Sequence, residues 1–128
     1  MTDVPVERLM STDLVRIAPG AAAADAARRM LETGVSSILV VGDDGRLAGL
    51  ITATDFVSLV RRNDPEDETA VEAFMTTDVV TVSPDDSVEE LADPTSRGYT
   101  HLPVVDADGR LVGMLSTTDL TAYLSERR

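Results

Sequence analysis

The sequence predicts an α+β fold made of two copies of one unit, each with the order strand, helix, strand, strand, helix. Shifting the chain by 65 residues, and by 64 from Gly34 onward, aligns residues 5–61 with a second copy at 18 identities in 57 positions. Self-similarity of this kind is the signature of a duplicated structural unit. We therefore expect repeat one at residues 5–62, a charged linker at 63–69 and repeat two at 70–126.

The first half of each copy is predicted to form a short strand and then a helix. Residues 15–17 and 80–82 alternate apolar and polar side chains, and a proline follows each run, as is typical of a strand that ends there. Residues 21–33 are rich in helix-forming residues, with apolar side chains at helical spacing. Gly34 is expected to end this helix, because glycine readily adopts the left-handed conformation found after helix C-termini.

The second half of each copy is predicted to be a hairpin followed by a helix. In copy one, residues 38–41 and 47–51 are apolar runs joined through an Asp-Gly pair, which is a strong hairpin signal. The closing helix is expected at residues 55–62, where the apolar side chains form one stripe.

Repeat two departs from this pattern in its first helix. Residues 87–90 fit the Ser-x-x-Glu capping box. Pro94 follows, and a proline inside a helix costs about 3 kcal/mol and disfavours helical geometry at the preceding residue. We therefore expect this helix to stop near Ala92, with Asp93 and Pro94 beginning a new turn.

Composition excludes several classes of function. The chain has 11 basic residues against 23 acidic ones and a net charge of −12, so we expect neither a nucleic-acid polymer nor a membrane as a partner. It has no cysteine and one histidine, which removes thiol chemistry and multi-histidine metal sites. No apolar run is long enough to cross a membrane, and the N-terminus lacks the features of a signal peptide, so we expect a cytoplasmic protein.

The acidic composition has two interpretations. All the basic residues are arginine and lysine is absent. High net negative charge keeps a protein soluble while salt screens the self-repulsion, so the pattern fits a halophile. A GC-rich genome that favours arginine codons over lysine codons would produce the same pattern, and the sequence alone does not separate the two.

In both copies, a hydroxyl residue and an aspartate stand three positions apart where a strand runs into a helix. The pairs are Thr52 with Asp55 and Ser116 with Asp119. Their spacing fits a capping box, which is a structural role. The same groups also suit a nucleotide, because free N–H groups at a helix N-terminus bind phosphate and a carboxylate accepts hydrogen bonds from a ribose diol. Both interpretations stand at this point.

The sequence offers little for catalysis. His101 is the only imidazole, and no spacing places it in a triad with Ser116 and Asp119. The acidic pairs at 43–44 and 85–86 stand in predicted turns, and the chain has no glycine-rich Walker loop. We expect no enzyme activity, no metal site and no required cofactor.

The ordered motifs of the second copy resemble the cystathionine-β-synthase (CBS) domain. They are Met-Thr-Thr-Asp-Val-Val-Thr-Val-Ser-Pro at 75–84, Leu-Pro-Val-Val-Asp at 102–106, Gly-Arg-Leu-Val-Gly at 109–113 and Ser-Thr-Thr-Asp at 116–119. The first copy carries counterparts at 10–13, 40–41, 45–49 and 52–55. Two such copies in tandem are similar to the Bateman module, and the resemblance covers about residues 5–126.

The resemblance implies two small sheets related by a pseudo-twofold axis, with helices outside them and two clefts between the copies. Bateman modules bind AMP, ADP, ATP or S-adenosylmethionine and act as sensors of metabolite or energy state. The resemblance therefore implies a non-catalytic regulatory module that forms a homodimer and acts on an unidentified target protein. Because the chain is acidic and offers few cations, we favour AMP or another lightly charged adenosine compound.

The resemblance also implies which residues bind the ligand. Asp55 and Asp119 are expected to hold the ribose hydroxyls, and His101 is expected to reach a phosphate in the cleft of Asp55. Neighbouring hydroxyls are expected near the ribose or phosphate, and the stretches 12–15 and 77–80 are expected to line the adenine. The expected ligand-binding set is Thr12, Asp13, Val15, Thr52, Thr54, Asp55, Thr77, Asp78, Val80, His101, Leu102, Ser116, Thr118 and Asp119.

Copy one departs from copy two where it has Ser37 and Leu39 in place of His101 and Pro103. The cleft built on Asp119 would then lack a phosphate partner. This departure favours an alternative function, in which the chain is a structural dimerisation module whose nucleotide clefts are vestigial. The broken first helix of repeat two adds to this alternative and leaves the dimer geometry open.

Overall fold

The computed structural model describes residues 4–91, 101–116, 119 and 123. The chain divides into two compact units: Val15–Val79, here called the first-repeat unit, and Met1–Leu14 with Val80–Arg128, here called the second-repeat unit. Within the described residues the elements are β1 (Arg16–Ile17), α1 (Ala23–Thr33), β2 (Ser37–Val41), β3 (Leu47–Thr52), α2 (Ala53–Arg61), β4 (His101–Val105) and β5 (Leu111–Ser116), with short 3-10 helices at Val6–Arg8, Val71–Ala73 and Val88–Leu91.

The first-repeat unit contains a three-stranded sheet in the order β1-β2-β3. β1 pairs parallel with β2, since α1 crosses over between them, and β2 pairs antiparallel with β3. The predicted order of strand, helix, strand, strand, helix is confirmed for repeat one. The sheet and both helices share one buried apolar core, whose members include Ile17, Ala23, Ala26, Met30, Ile38, Val40, Ile51 and Leu59.

Glycines at positive φ end α1 and turn the hairpin, as predicted. Gly34 has a φ of 72° and donates its N–H to the carbonyl of Met30 at 2.8 Å, which closes the last turn of α1. Gly45 has a φ of 83° in the turn between β2 and β3. In both cases the left-handed conformation would strain a residue with a side chain.

The start of α1 is capped by a distant part of the chain. Helix α1 begins after Ala22, whose side chain makes no capping hydrogen bond. The N–H of Ala23 instead donates to the carbonyl of Thr69 at 2.8 Å, and the N–H of Ala24 donates to that of Glu66 at 3.0 Å. Both carbonyls belong to the predicted linker. The linker therefore satisfies helix donors that would otherwise lack partners.

The second-repeat unit contains the antiparallel pair β4-β5, and its core includes Leu102, Val104 and Leu115. The strand predicted at 80–82 is reduced, in the described residues, to one parallel bridge between Val82 and Val104. Its two backbone hydrogen bonds join Val82 N–H to the Pro103 carbonyl at 3.0 Å and the Val105 N–H to the Val82 carbonyl at 2.9 Å.

The first helix of repeat two starts differently from the prediction. Residues Val88–Leu91 form a 3-10 helix rather than the beginning of an α-helix. The predicted stop near Ala92 and the turn at Asp93 and Pro94 lie outside the described residues. Of the closing helix, only Asp119 and Tyr123 are described, and both are helical.

Each unit also includes a segment that begins within one residue of the predicted start of the other repeat. We call these the exchanged segments: residues 69–76 in the first-repeat unit and residues 4–11 in the second-repeat unit. Each compact unit is therefore assembled from both sequence repeats. The two segments make equivalent backbone hydrogen bonds at positions related by the 65-residue shift. The N–H of Val71 donates to the Ala21 carbonyl, and the N–H of Val6 donates to that of Asp86, both at 2.8 Å. The N–H of Glu72 donates to the Pro19 carbonyl, and the N–H of Glu7 donates to that of Pro84, both at 3.1 Å.

Candidate functional site

The junction between β3 and α2 holds the Asp55 carboxylate in place. β3 ends at Thr52 and α2 starts at the next residue, so Asp55 occupies the third helical position of a capping box. The Thr52 N–H donates to Asp55 Oδ2 at 2.8 Å, and the Thr52 hydroxyl lies 3.3 Å from the same oxygen. The capping interpretation of this pair is confirmed.

A third donor reaches Asp55 from the exchanged segment. The Thr76 hydroxyl lies 3.0 Å from Asp55 Oδ1 and 3.2 Å from Oδ2. Thr76 is itself held by an antiparallel bridge to Leu50 of β3, with N–H to carbonyl distances of 2.8 and 2.9 Å. The carboxylate therefore joins the start of α2, the end of β3 and the exchanged segment.

The junction after β5 repeats the capping box. The N–H of Ser116 donates to Asp119 Oδ2 at 2.9 Å, and its hydroxyl lies 3.0 Å from the same oxygen. The Asp119 N–H in turn lies 3.3 Å from the Ser116 hydroxyl. Both predicted aspartates therefore stand at the same place in their repeats, half-buried at the start of a helix.

A cavity of about 400 Å³ opens beside Asp55 in the first-repeat unit. Its size falls in the usual range of small-molecule sites, roughly 300–1,000 Å³. A carboxylate accepts at about four lone-pair positions, and Oδ1 receives only the Thr76 hydroxyl among the described residues. Asp55 therefore keeps acceptor capacity for hydroxyl donors of a ligand. The cavity is lined by Asp55, Ser58, Arg61, Arg62, Ala73, Phe74 and Met75.

The residues expected to line an adenine follow the exchanged segments. Thr77 and Asp78 are exposed directly after Thr76, and Thr12 and Asp13 are exposed directly after residue 11. Val15 and Val80, two positions further along in each copy, are half-buried. Thr77 and Asp78 therefore adjoin, along the chain, the residue that contacts Asp55.

The remaining expected residues differ in exposure. Thr54 is exposed in the first turn of α2, and Thr118 lies outside the described residues. His101 is half-buried at the start of β4, opposite Ser116; it belongs to the other compact unit from Asp55, so their pairing stays a prediction. The Leu102 side chain is 2% exposed and packs in the core. The expected ligand contact of the Leu102 side chain is therefore wrong, because burial in the core keeps it away from any ligand.

Two features of this site were missed by the sequence analysis. Thr76 was treated only as part of a motif, although it contacts Asp55 directly. Arg61 lines the cavity beside Asp55 but was considered only as part of an amphipathic helix. The repeated Met-(Ser/Thr)-Thr-Asp motif marked the first position. The second follows from α2 itself, because Ser58 lies three positions beyond Asp55 and Arg61 three beyond Ser58, and residues three apart are neighbours on a helix surface.

The described part of the chain holds no group of three or more acidic or histidine side chains placed to bind a metal ion. In the same residues, none of the helices has the length and apolar character needed to cross a bilayer.

Comparison with known proteins identifies the family. The CBS-domain family matches residues 6–62 and, a second time, residues 71–126. The chain belongs to the CBS-domain family. The tandem arrangement predicted from the internal repeat is thereby confirmed.

CBS-domain relatives of this chain differ greatly in length. The chain is 32% identical over 120 residues to an uncharacterized 17.7 kDa protein of Acidianus ambivalens, covering 93% of this chain and 72% of that protein. It is also 32% identical over 123 residues to a homoserine O-acetyltransferase of Methanohalobium evestigatum. That match covers 94% of this chain but 24% of the enzyme. The chain thus spans about a quarter of the acetyltransferase, and the likeness gives no reason to assign catalysis to this CBS pair.

Solved CBS structures share the fold along almost the whole chain. A conserved CBS-domain protein of unknown function from Thermoplasma acidophilum matches with a TM-score of 0.82 and 27% identity, covering 95% of this chain and 70% of that one. The CBS domain pair of protein MJ0100, solved in complex with 5′-methylthioadenosine and S-adenosyl-L-methionine, matches with a TM-score of 0.83 and 23% identity. That match covers 99% of this chain and 100% of that pair, so the fold is that of a complete CBS pair.

Proposed function

We propose that this CBS pair is a regulatory module that binds an adenosyl ligand and has no catalytic role. The Asp55 site carries the proposal. A half-buried carboxylate with remaining acceptor capacity lies beside a cavity of about 400 Å³, at the start of α2. A ribose diol offers the two adjacent hydroxyl donors that such a carboxylate accepts.

The relative that binds adenosyl compounds supports the ligand class. The MJ0100 pair, which has the same fold, was solved with 5′-methylthioadenosine and S-adenosyl-L-methionine. In this chain we propose the ribose contact at Asp55 and Asp119, with Thr52, Thr54, Ser116 and Thr118 beside it. The exposed stretches after the exchanged segments are the proposed adenine contacts.

The net charge of the chain restricts which adenosyl compounds it is expected to bind. The chain carries a net charge of −12, which disfavours a ligand with several negative charges. We therefore propose a neutral, cationic or lightly anionic adenosyl compound, such as 5′-methylthioadenosine, S-adenosylmethionine or AMP, in preference to ATP. Arg61 is exposed and lines the cavity beside Asp55, and we propose that it neutralises the phosphate of AMP.

The outer face of the two helices of repeat one suggests how the module assembles. Leu31 of α1 and Val60 of α2 are 84% and 75% exposed, and both line an open groove of about 660 Å³ between the helices. Val57 is a third exposed apolar side chain, at 67%. Large apolar side chains grouped on a surface mark an interaction site, so we propose that this face forms a homodimer. The regulated protein would be a further partner.

The same face favours a second candidate function, in which the chain serves only for association and its clefts stay empty. The two functions are separated by ligand binding. Thermal unfolding should be followed with 5′-methylthioadenosine, S-adenosylmethionine, AMP and ATP, in low and in multimolar KCl. A ligand at 100 times its Kd stabilises the folded state by about 2.7 kcal/mol, whereas a folded protein that none of these compounds stabilises would be an association module.

Mass spectrometry of small molecules released on denaturing the purified protein gives an independent test. An adenosyl compound in this fraction supports the regulatory module and names the ligand. Asp55→Asn should reduce binding in both experiments. Asp85→Asn is its matched control, because Asp85 is exposed in a turn of the other unit.

A further inference from the structure

We propose that Thr76 is the positioning residue of the Asp55 site, and that it makes this site bind more tightly than its counterpart at Asp119. The inference rests on the proposed function, and it concerns how the carboxylate is oriented before the ligand arrives. Its basis is a difference between two junctions that share the same contacts between a hydroxyl residue and an aspartate three positions later.

The Thr76 hydroxyl and the Thr52 backbone fix Asp55 from two directions. The Thr52 N–H holds Oδ2 at 2.8 Å. The Thr76 hydroxyl spans both oxygens at 3.0 and 3.2 Å. Two donors on different segments restrict rotation of the carboxylate about its own axis, and a restricted group loses less entropy when it binds a ligand.

The backbone around Thr76 is itself tightly placed. Its N–H and carbonyl pair with Leu50 of β3 at 2.8 and 2.9 Å. A Cβ atom added to Gly49 would lie 2.7 Å from the Thr76 carbonyl oxygen, so the two backbones are in close contact. Threonine is also β-branched, which leaves few χ1 rotamers. A rigid backbone therefore holds the Thr76 hydroxyl next to Asp55.

The second-repeat unit has the same support without the same bond. Ser11 corresponds to Thr76 and pairs with Met114 through backbone hydrogen bonds of 2.8 and 2.9 Å. Its side chain is exposed, and within residues 4–91, 101–116, 119 and 123 no hydrogen bond joins its hydroxyl to Asp119. Among the residues that the structure describes, only Ser116 donates to the Asp119 carboxylate. The Asp119 carboxylate therefore keeps rotational freedom that it would lose on binding a ligand.

Removal of the Thr76 hydroxyl tests the proposal. Thr76→Val keeps the shape of the side chain and removes the donor, while Thr76→Ser keeps the donor. Each should be made alone and combined with Asp119→Asn, which isolates the Asp55 site. Isothermal titration with S-adenosylmethionine and with 5′-methylthioadenosine then gives the affinity of that site.

We expect Thr76→Val to weaken binding at the Asp55 site roughly 3- to 10-fold, the range that one side-chain hydrogen bond provides. Thr76→Ser should restore most of the affinity. Binding at the Asp119 site, measured in an Asp55→Asn background, should be unchanged by Thr76→Val, which a general loss of stability would not leave intact. Ser11→Ala is the matched control and should change neither site.

The results separate this proposal from the proposed function. Wild-type binding with equal affinities at the two sites, or Thr76→Val without effect on the Asp55 site, overturns the positioning role and leaves the regulatory module standing. Absence of binding by the folded wild-type protein overturns both.

Discussion

Gly49 and Met75 approach so closely that no side chain fits between them. A Cβ atom on Gly49 would lie 2.7 Å from Met75 Sδ and 2.7 Å from the Thr76 carbonyl oxygen. The exchanged segment therefore rests directly on the backbone of β3, at the strand that ends in the Asp55 junction. Gly113 and Met10 have the same relationship in the second-repeat unit. This contact is the structural reason for a glycine at the same place in both sequence copies.

Substituting Gly49 should separate the exchanged segment from β3. One of the two obstacles is backbone, which has little room to move, so we expect Gly49→Ala to lower the free energy of unfolding by about 2 kcal/mol. Chemical denaturation monitored by circular dichroism gives this value. Gly20→Ala is the control, because a Cβ atom there meets nothing within 4 Å, and it should change stability by less than about 0.5 kcal/mol. Equal effects of the two substitutions would show that the close contact at Gly49 does not contribute to stability.

Gly113→Ala should be milder than Gly49→Ala. The atoms nearest to an added Cβ at Gly113 all belong to the Met10 side chain, and methionine is flexible enough to move aside. We expect a loss of about 1 kcal/mol, measured in the same denaturation experiment. A larger loss than at Gly49 would mean that the exchanged segment of residues 4–11 is held more rigidly than that of residues 69–76.

Asp55→Ala should affect both stability and binding. It removes the carboxylate that accepts the Thr52 N–H, and loss of such a cap costs about 1 kcal/mol. In titrations with S-adenosylmethionine or 5′-methylthioadenosine it should abolish one of two sites and leave the Asp119 site. Loss of both sites together in a folded variant would contradict the assignment of one carboxylate to each site.

Salt should stabilise the protein if its composition reflects a halophile. The net charge of −12 causes self-repulsion, and multimolar salt reduces the screening length to about 3 Å or less. We expect the melting temperature to rise steadily from low salt to multimolar KCl. A protein equally stable in dilute buffer would favour the GC-rich-genome interpretation. Sucrose at matched osmolality controls for effects that are not electrostatic.

Charge on the apolar face of α1 and α2 should dissociate the proposed homodimer. Leu31→Glu places a carboxylate in the groove of about 660 Å³ between the two helices. Because Leu31 is 84% exposed, the folded monomer should tolerate the change, and light scattering after size exclusion should show half the wild-type mass. Ala107→Glu adds the same charge in an exposed turn of the other unit and should leave the mass unchanged. A wild-type protein that is already monomeric would contradict the proposed dimer.

As with the fold, one part of the candidate site could be predicted from the sequence and another part could not. The pairing of Thr52 with Asp55 was predicted because three positions at a helix start are a local geometric relation. The bond from Thr76 to the same carboxylate spans 21 residues and has no local signature. The sequence motif marked Thr76 as repeated but did not say what it contacts.

The sequence by itself determined the duplication, the order of elements in repeat one, the glycines that end α1 and turn the hairpin, and the capping boxes of Asp55 and Asp119. Each of these depends on side-chain periodicity or on interactions over a few residues, so each can be recognised from a short stretch of sequence. Only the tertiary structure decided that linker carbonyls cap α1, that each unit includes a segment from the start of the other repeat, and that Thr76 donates to Asp55 while Ser11, within the described residues, does not donate to Asp119. Those features depend on which distant segments meet, and that depends on packing of the whole core rather than on any local preference.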